Sequence, residues 1–181
     1  MALVSTIDTS CPVGGKAHFL EFFCRKQTRV NRGTFGAELN NCVEAAEYGL
    51  LLQGCLHEVF NGVSSAMNLS KMLDKAELSP PLHVVIDAHA VFSAVSAETV
   101  ATPNERQLLY PLKGLREHLD AGRVCKIHRI DTRDMLADAL TKGAVSRVAL
   151  LEAFASGEWM LEHREQLHSW PTTATRTTSS T

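Results

Sequence analysis

Four carboxylates stand where an acid can do more than keep a surface wet: Glu38, Asp87, Asp134 and Asp138. Asp87 closes the short apolar run Leu82-His83-Val84-Val85-Ile86, which Pro80-Pro81 introduces. A run this short, bounded by a turn signal, reads as a strand buried on both faces. Its carboxyl end is where open α/β sheets place their ligands. The plainer alternative is that Asp87 caps the helix that follows. Carboxylates brought together from separate elements repel unless a cation neutralises them. Hard oxygen ligands suit Mg²⁺ or Mn²⁺, which bind through few carboxylates and keep waters for a phosphate substrate. Two such ions about 3.5–4 Å apart can activate water and stabilise the leaving oxygen of a phosphodiester.

The elements that must position these acids follow from the pattern of the chain. Leu3 to Ile7 and Ala17 to Arg25 read as the strands of a hairpin across the turn-rich segment Asp8 to Gly15. The next stretch, Arg25-Lys26-Gln27-Thr28-Arg29-Val30-Asn31-Arg32, carries four positive charges in eight residues. It is either a solvated loop or a phosphate-contacting edge. Thr34 is the expected N-cap of a helix reaching about Phe60, with Phe35, Leu39, Cys42, Val43, Ala46 and Leu50 in one stripe. Glu38 falls at the margin of that stripe and can point into a cleft, whereas Glu44 lies on the solvated side. Further helices are expected over Ser65–Ala76, Ala88–Val95, Asn104–Ala121, Thr132–Lys142 and Val145–Gly157, with Gly122 and Gly143 as stops. In the helix ending at Lys142, Met135, Leu136, Ala139 and Leu140 face inward, leaving Asp134 and Asp138 off the stripe. Val124 to Ile130 alternates as a half-buried strand does. Hairpin, long helix, strand, helices, strand and helix suit a mixed sheet flanked by helices.

Composition narrows the function classes. The 181 residues, 45% hydrophobic and 21% charged, are those of a globular chain with room for a core. A net charge of -2 argues against a generally polybasic binder, so any nucleic-acid contact must use a local patch. Cys11, Cys24, Cys42, Cys55 and Cys125 are scattered and odd in number, which fits a reducing compartment, and none stands as CxxC, so a cysteine zinc site is not expected. With no apolar run of the ~20 residues a bilayer requires and no signal-peptide pattern, the expectation is an intracellular protein, cytoplasmic or nuclear, with no membrane partner.

Three blocks carry a resemblance. Phe19-Leu20-Glu21-Phe22-Phe23-Cys24-Arg25-Lys26-Gln27 with Val30-Asn31-Arg32-Gly33-Thr34-Phe35-Gly36-Ala37-Glu38-Leu39 resembles the "W-x-S-K-K-Q … V-x-R-S-S-x-E-A-E" region of copia-type retrotransposon ribonuclease H domains. Val84-Val85-Ile86-Asp87 resembles their "Y-x-D" strand, and Ala137-Asp138-Ala139-Leu140-Thr141-Lys142 is similar to their "A-D-x-L-T-K" block. The blocks come in family order and cover roughly residues 17–143. The resemblance implies a ribonuclease H-like α/β fold over 1–157, followed by a C-terminal extension (158–171) and a disordered tail (172–181). It implies hydrolysis of the RNA strand of an RNA/DNA hybrid, with two Mg²⁺ or Mn²⁺ ions on Glu38, Asp87 and Asp138. Arg25, Lys26, Arg29 and Arg32 would lie along the hybrid backbone, and the upstream reverse transcriptase region of a Pol polyprotein would be the natural partner. Asp134 is then an acid favoured by a helix N-terminus.

The chain departs from that family in two places. The family's first catalytic acid sits on an opening strand that has no counterpart here, so Leu3 to Ile7 corresponds to the second strand. Asp8 is the only acid before Glu21 and lies in the hairpin connection, where it is a replacement ligand only if the loop brings it back. Asp87-Ala88-His89-Ala90 replaces the family's "D-N-Q-S", with His89 read as a helix-surface residue. A missing metal-bridging acid makes a non-catalytic, transposon-derived remnant the competing account. An integrase- or resolvase-like nuclease fits the last block less well. Loss of a strand also leaves its neighbour with unmatched backbone groups, so self-association in isolation is expected.

Overall fold

The computed structural model describes residues 2–5, 14–21, 33–100, 103 and 105–171. They form a mixed α/β protein: β1 (Ala2–Ser5), β2 (Gly14–Glu21), α1 (Thr34–Asn61), α2 (Ala66–Asp74), β3 (His83–Ile86), α3 (His89–Ser96), α4 (Leu109–Asp120), β4 (Lys126–Arg129), α5 (Asp138–Thr141), α6 (Val148–Ser156), β5 (Glu158–Met160) and β6 (His168–Trp170). The chain divides into two compact units, one of Met1–Arg29 with Ile130–Leu167, the other of Val30–Arg129 with His168–Thr181.

The first unit holds an antiparallel sheet of order β1-β2-β5. The expected hairpin is present, with Leu3 opposite Phe19 and Ser5 opposite Ala17. Its core is Leu136, Ala139, Leu150 and Ala153, against which Phe19, Leu140 and Trp159 pack. The rings of Phe19 and Phe154 lie 4.0 Å apart between centroids. Gly157 closes α6 in the left-handed conformation at φ 67°, its N–H on the Ala153 carbonyl and its own carbonyl accepting from Ala17 N at 2.7 Å.

The second unit holds a mixed sheet of order β3-β4-β6, parallel between β3 and β4 and antiparallel between β4 and β6. Parallel neighbours require a crossover, and α3 and α4 supply it. α1 packs on β3, α3 packs on β4, and α1, α3 and α4 pack on one another. Leu39, Cys42 and Ala46 of α1 meet Val91, Val95, Leu112, Leu115, Val84 and Ile127 in one core. Each large aliphatic side chain buried there contributes about 1.5–3 kcal/mol. The stripe read from the sequence is the buried face of α1, and it runs on through Gln53 and His57. Gln53 Nε2 donates to the carbonyls of Pro80 (2.8 Å) and Leu78 (3.3 Å), and His57 Nδ1 accepts from Ser79 N at 3.1 Å. These two polar side chains satisfy the backbone that leads into β3.

Several local expectations are corrected. The N-cap of α1 is Gly33 and not Thr34, and no side chain caps it. Ser65 does cap α2, accepting from Asn68 N. The helix expected from Asn104 begins with a 3-10 turn, Arg106–Leu108, while Asn104 itself lies outside the described residues. The helix expected from Thr132 to Lys142 is broken. A 3-10 turn, Thr132–Asp134, ends at an extended Met135 (φ -78°, ψ 95°), and α5 begins at Asp138. Helical propensity amounts to a few tenths of a kcal/mol per residue, less than the bonds Asp134 makes by leaving the helix. β4 does not alternate: Ile127 and His128, on opposite faces of the strand, are both buried.

Candidate functional site

Asp87 follows the last residue of β3 and is half-buried. It does not cap α3, whose N-cap is Ala88 with no side-chain bond. Among the described residues, none of the hydrogen bonds or ion pairs of the second unit involves Asp87. Glu38 lies on the first turns of α1, exposed beside the buried Leu39 and likewise without a partner among those residues. The strand and the helix that carry these two acids pack on each other within the second unit.

Asp138 belongs to the first unit and has a different environment. It is buried at the start of α5, not off the stripe as expected, and Lys142 Nζ lies 2.6 Å from its Oδ2. The spacing is i,i+4, so the two charged residues of the Ala-Asp-x-Leu-Thr-Lys block neutralise one another across one helical turn. Asp134 is also buried, its carboxylate 5% exposed, against the expectation of a solvated helix-start acid. Its Oδ2 accepts from His163 N at 2.9 Å, and its Oδ1 lies 2.9 Å from His163 Nδ1. That hydrogen bond raises the pKa of the His163 ring, against a smaller opposing effect of desolvation. Neighbouring Asp131 caps the 3-10 turn through Arg133 N and takes the Arg133 guanidinium at 2.8 Å. These bonds from Arg133 hold the Asp131 carboxyl well below the usual carboxylate range.

Arg25, Lys26, Arg29 and Arg32 lie outside the described residues, as do Asp8 and residues 172–181. No helix among the described residues is long and apolar enough to cross a membrane. Cys42, Cys55 and Cys125 are free thiols, and burial pushes Cys42 up to about 12, which keeps it protonated.

Two polar constellations escaped the sequence reading. One is Asp134 with Glu162 and His163, whose ligand atoms all lie within 4.8 Å of one another. Its only sequence signal is the adjacent Glu162-His163 pair, because Asp134 is 29 positions from His163. The other is a relay in the second unit: Ser169 Oγ lies 2.7 Å from His128 Nδ1, and His128 Nε2 lies 3.0 Å from His83 Nδ1. Each neutral imidazole carries one N–H, so the relay can run in either direction. In both directions His83 Nε2 is left buried without a partner among the described residues. Burial, then the charges of His83 and Lys126, push His128 down to about 3; burial and Lys126 lower His83 as well. Both rings are therefore neutral at pH 7.

No family model, curated protein or solved structure matches the chain.

Proposed function

We propose that the chain is a ribonuclease H-like domain of a copia-type retrotransposon polyprotein, which hydrolyses the RNA strand of RNA/DNA hybrids with Mg²⁺ or Mn²⁺. The observation that carries the reading is Asp87, a half-buried carboxylate just past the end of a parallel strand, with no hydrogen bond or ion pair among the described residues. The element order agrees with that reading (an antiparallel hairpin, a long helix with Glu38, a parallel strand pair with helical crossover, a short helix with Asp138), although the single mixed sheet expected is two sheets, β1-β2-β5 and β3-β4-β6.

Carboxylates are the donors that hard cations take, although among the described residues the Asp/Glu/His group close enough to share an ion is Asp134, Glu162 and His163, not these three acids. Glu38 and Asp87 are carboxylates with no partner among the described residues, and Asp138 already has a positive charge beside it in the Lys142 ammonium. Bound Mg²⁺ or Mn²⁺ would supply an activated water and a counter-charge for the departing oxygen. The protein's own part is to hold Glu38 and Asp87, on a helix and a strand that pack on each other, as acceptors for the ions; Asp138, the third acid of the resemblance, stands in the first unit beside Lys142. Arg25, Lys26, Arg29 and Arg32 would meet hybrid phosphates.

The second reading is a non-catalytic remnant that binds nucleic acid or a protein partner. The Asp138–Lys142 pair favours it, since that acid is compensated without any metal. Cleavage of an end-labelled RNA/DNA hybrid with Mg²⁺ and with Mn²⁺, by this chain and by Asp87→Asn, separates the two. The enzyme predicts cleavage by the native chain and at least about a 100-fold loss in the variant. Equal inertness of the two proteins removes the catalytic reading, and a gel shift with the hybrid then tests the remnant.

A further inference from the structure

We infer that Asp134, Glu162 and His163 form a binding site for a divalent transition-metal ion of the Zn²⁺ class. The site lies wholly within the first unit, between the 3-10 turn that follows β4 and the segment that follows β5. It shares no residue with Glu38, Asp87 and Asp138, so it stands or falls independently of the nuclease reading.

Two of the three donors are already fixed. The Asp134 carboxylate is buried and held from behind by His163 N on Oδ2, which leaves Oδ1 pointing at Nδ1 of the same histidine. Metal-ligating carboxylates are commonly oriented in this way, one oxygen on a backbone amide and the other on the ion. The 2.9 Å between Nδ1 and Oδ1 is now bridged by a proton. An ion about 2.0–2.2 Å from each atom would take that proton's place with only a small opening of the pair. The third donor, Glu162, is exposed and has no partner among the described residues, and its carboxylate oxygen is within 4.8 Å of the other two ligand atoms.

Charge favours a cation there. Residues 131–134 and 162–165 include four carboxylates (Asp131, Asp134, Glu162, Glu165) against two guanidiniums (Arg133, Arg164), an excess of two negative charges with His163 neutral. Arg133 is engaged by Asp131, and Arg164 Nε turns to the Leu161 carbonyl at 3.3 Å. The ligand types decide which cation. One imidazole with two carboxylates suits Zn²⁺, Co²⁺ or Ni²⁺ better than Mg²⁺ or Ca²⁺, which take oxygen alone. Three protein donors leave a coordination position for water. Bound metal would clamp together two segments 29 residues apart and so stabilise the first unit.

The simpler role for these residues is a metal-free ion pair that pins the chain, and a titration distinguishes the two. The full chain, stripped with EDTA and dialysed, is titrated with Co²⁺ while its visible d–d absorption is followed. The native protein should bind one equivalent saturably, release it to Zn²⁺, and keep it in a large excess of Mg²⁺. Glu162→Gln, which neutralises an exposed carboxylate that has no partner among the described residues, should weaken Co²⁺ binding about tenfold or more. His163→Gln should abolish it. Absence of saturable binding overturns the inference. So does binding of equal strength in both variants, which would put the ion on other histidines.

Discussion

Lowering the pH from 7 to 4.5 should weaken the second unit through His128. This ring is 1% exposed, on the central strand of its sheet, and its pKa is pushed down to about 3 by burial, with His83 and Lys126 adding to the effect. In the unfolded chain a histidine titrates near 6.5. Below that value the unfolded state takes up a proton that the folded state refuses, so stability is fully present above about pH 6.5 and is lost progressively down to the folded value. One proton corresponds to about 1.4 kcal/mol per pH unit, so the loss at pH 4.5 is about 3 kcal/mol from His128 alone. The lowered pKa of His83 acts in the same direction. Against a typical total of about 5–15 kcal/mol this is a large share, and it corresponds to a drop of about 1–2 M in the urea midpoint. Trp170, on β6 beside β4, reports the transition in a Trp159→Phe background. The comparison is His128→Leu, which gives up the bonds to Ser169 and His83 and should cost about 1–3 kcal/mol at pH 7. It should also flatten the dependence between pH 6.5 and 4.5 by about one proton. Parallel pH dependences in the two proteins would refute the reasoning, because the titrating group would then lie elsewhere.

Two further outcomes follow from the first unit. Gly14 sits at φ 124° with Trp159 O 2.4 Å and Met160 Cα 2.5 Å from where a Cβ would be, so Gly14→Ala should part β2 from β5 at a cost of about 1–3 kcal/mol. Trp159 fluorescence during urea unfolding measures that loss, and an unchanged midpoint would contradict the close approach. With metal removed by EDTA, the His163 ring should titrate above its ordinary 6.5 by NMR and fall back toward it in Asp134→Asn. A His163 pKa unchanged by that substitution would mean the Asp134 contact does not hold in solution.

What the sequence made legible was whatever depended on one element at a time. The α1 stripe through Leu39, Cys42, Ala46 and Leu50 is a helix period, and it faces the core as read. Asp87 at the end of an apolar run was equally plain, and so was Glu38 at the edge of its stripe. What was hidden depended on neighbours distant in the chain. The His128 ring meets Ser169 of β6, 41 positions on, and β6 is three residues with no pattern of their own. Asp134 leaves its helix because His163 awaits it 29 positions later. Gln53 and His57 continue the α1 stripe to the backbone before β3, and their polar side chains carry no apolar period that would announce it. The Asp138–Lys142 pair is legible too, since its i,i+4 spacing announces it.

The two sheets are threaded through each other's sequence. β2 needs a partner from the start of the chain, β1, and another from near its end, β5, while β4 needs β6 from later still. A protein cut after Gly157, where the helical pattern stops, would therefore lose a strand from each sheet at once. The last dozen described residues look like a trailing end on paper, yet a shortened version must run past Met160 to keep the first sheet and through Trp170 to keep the second.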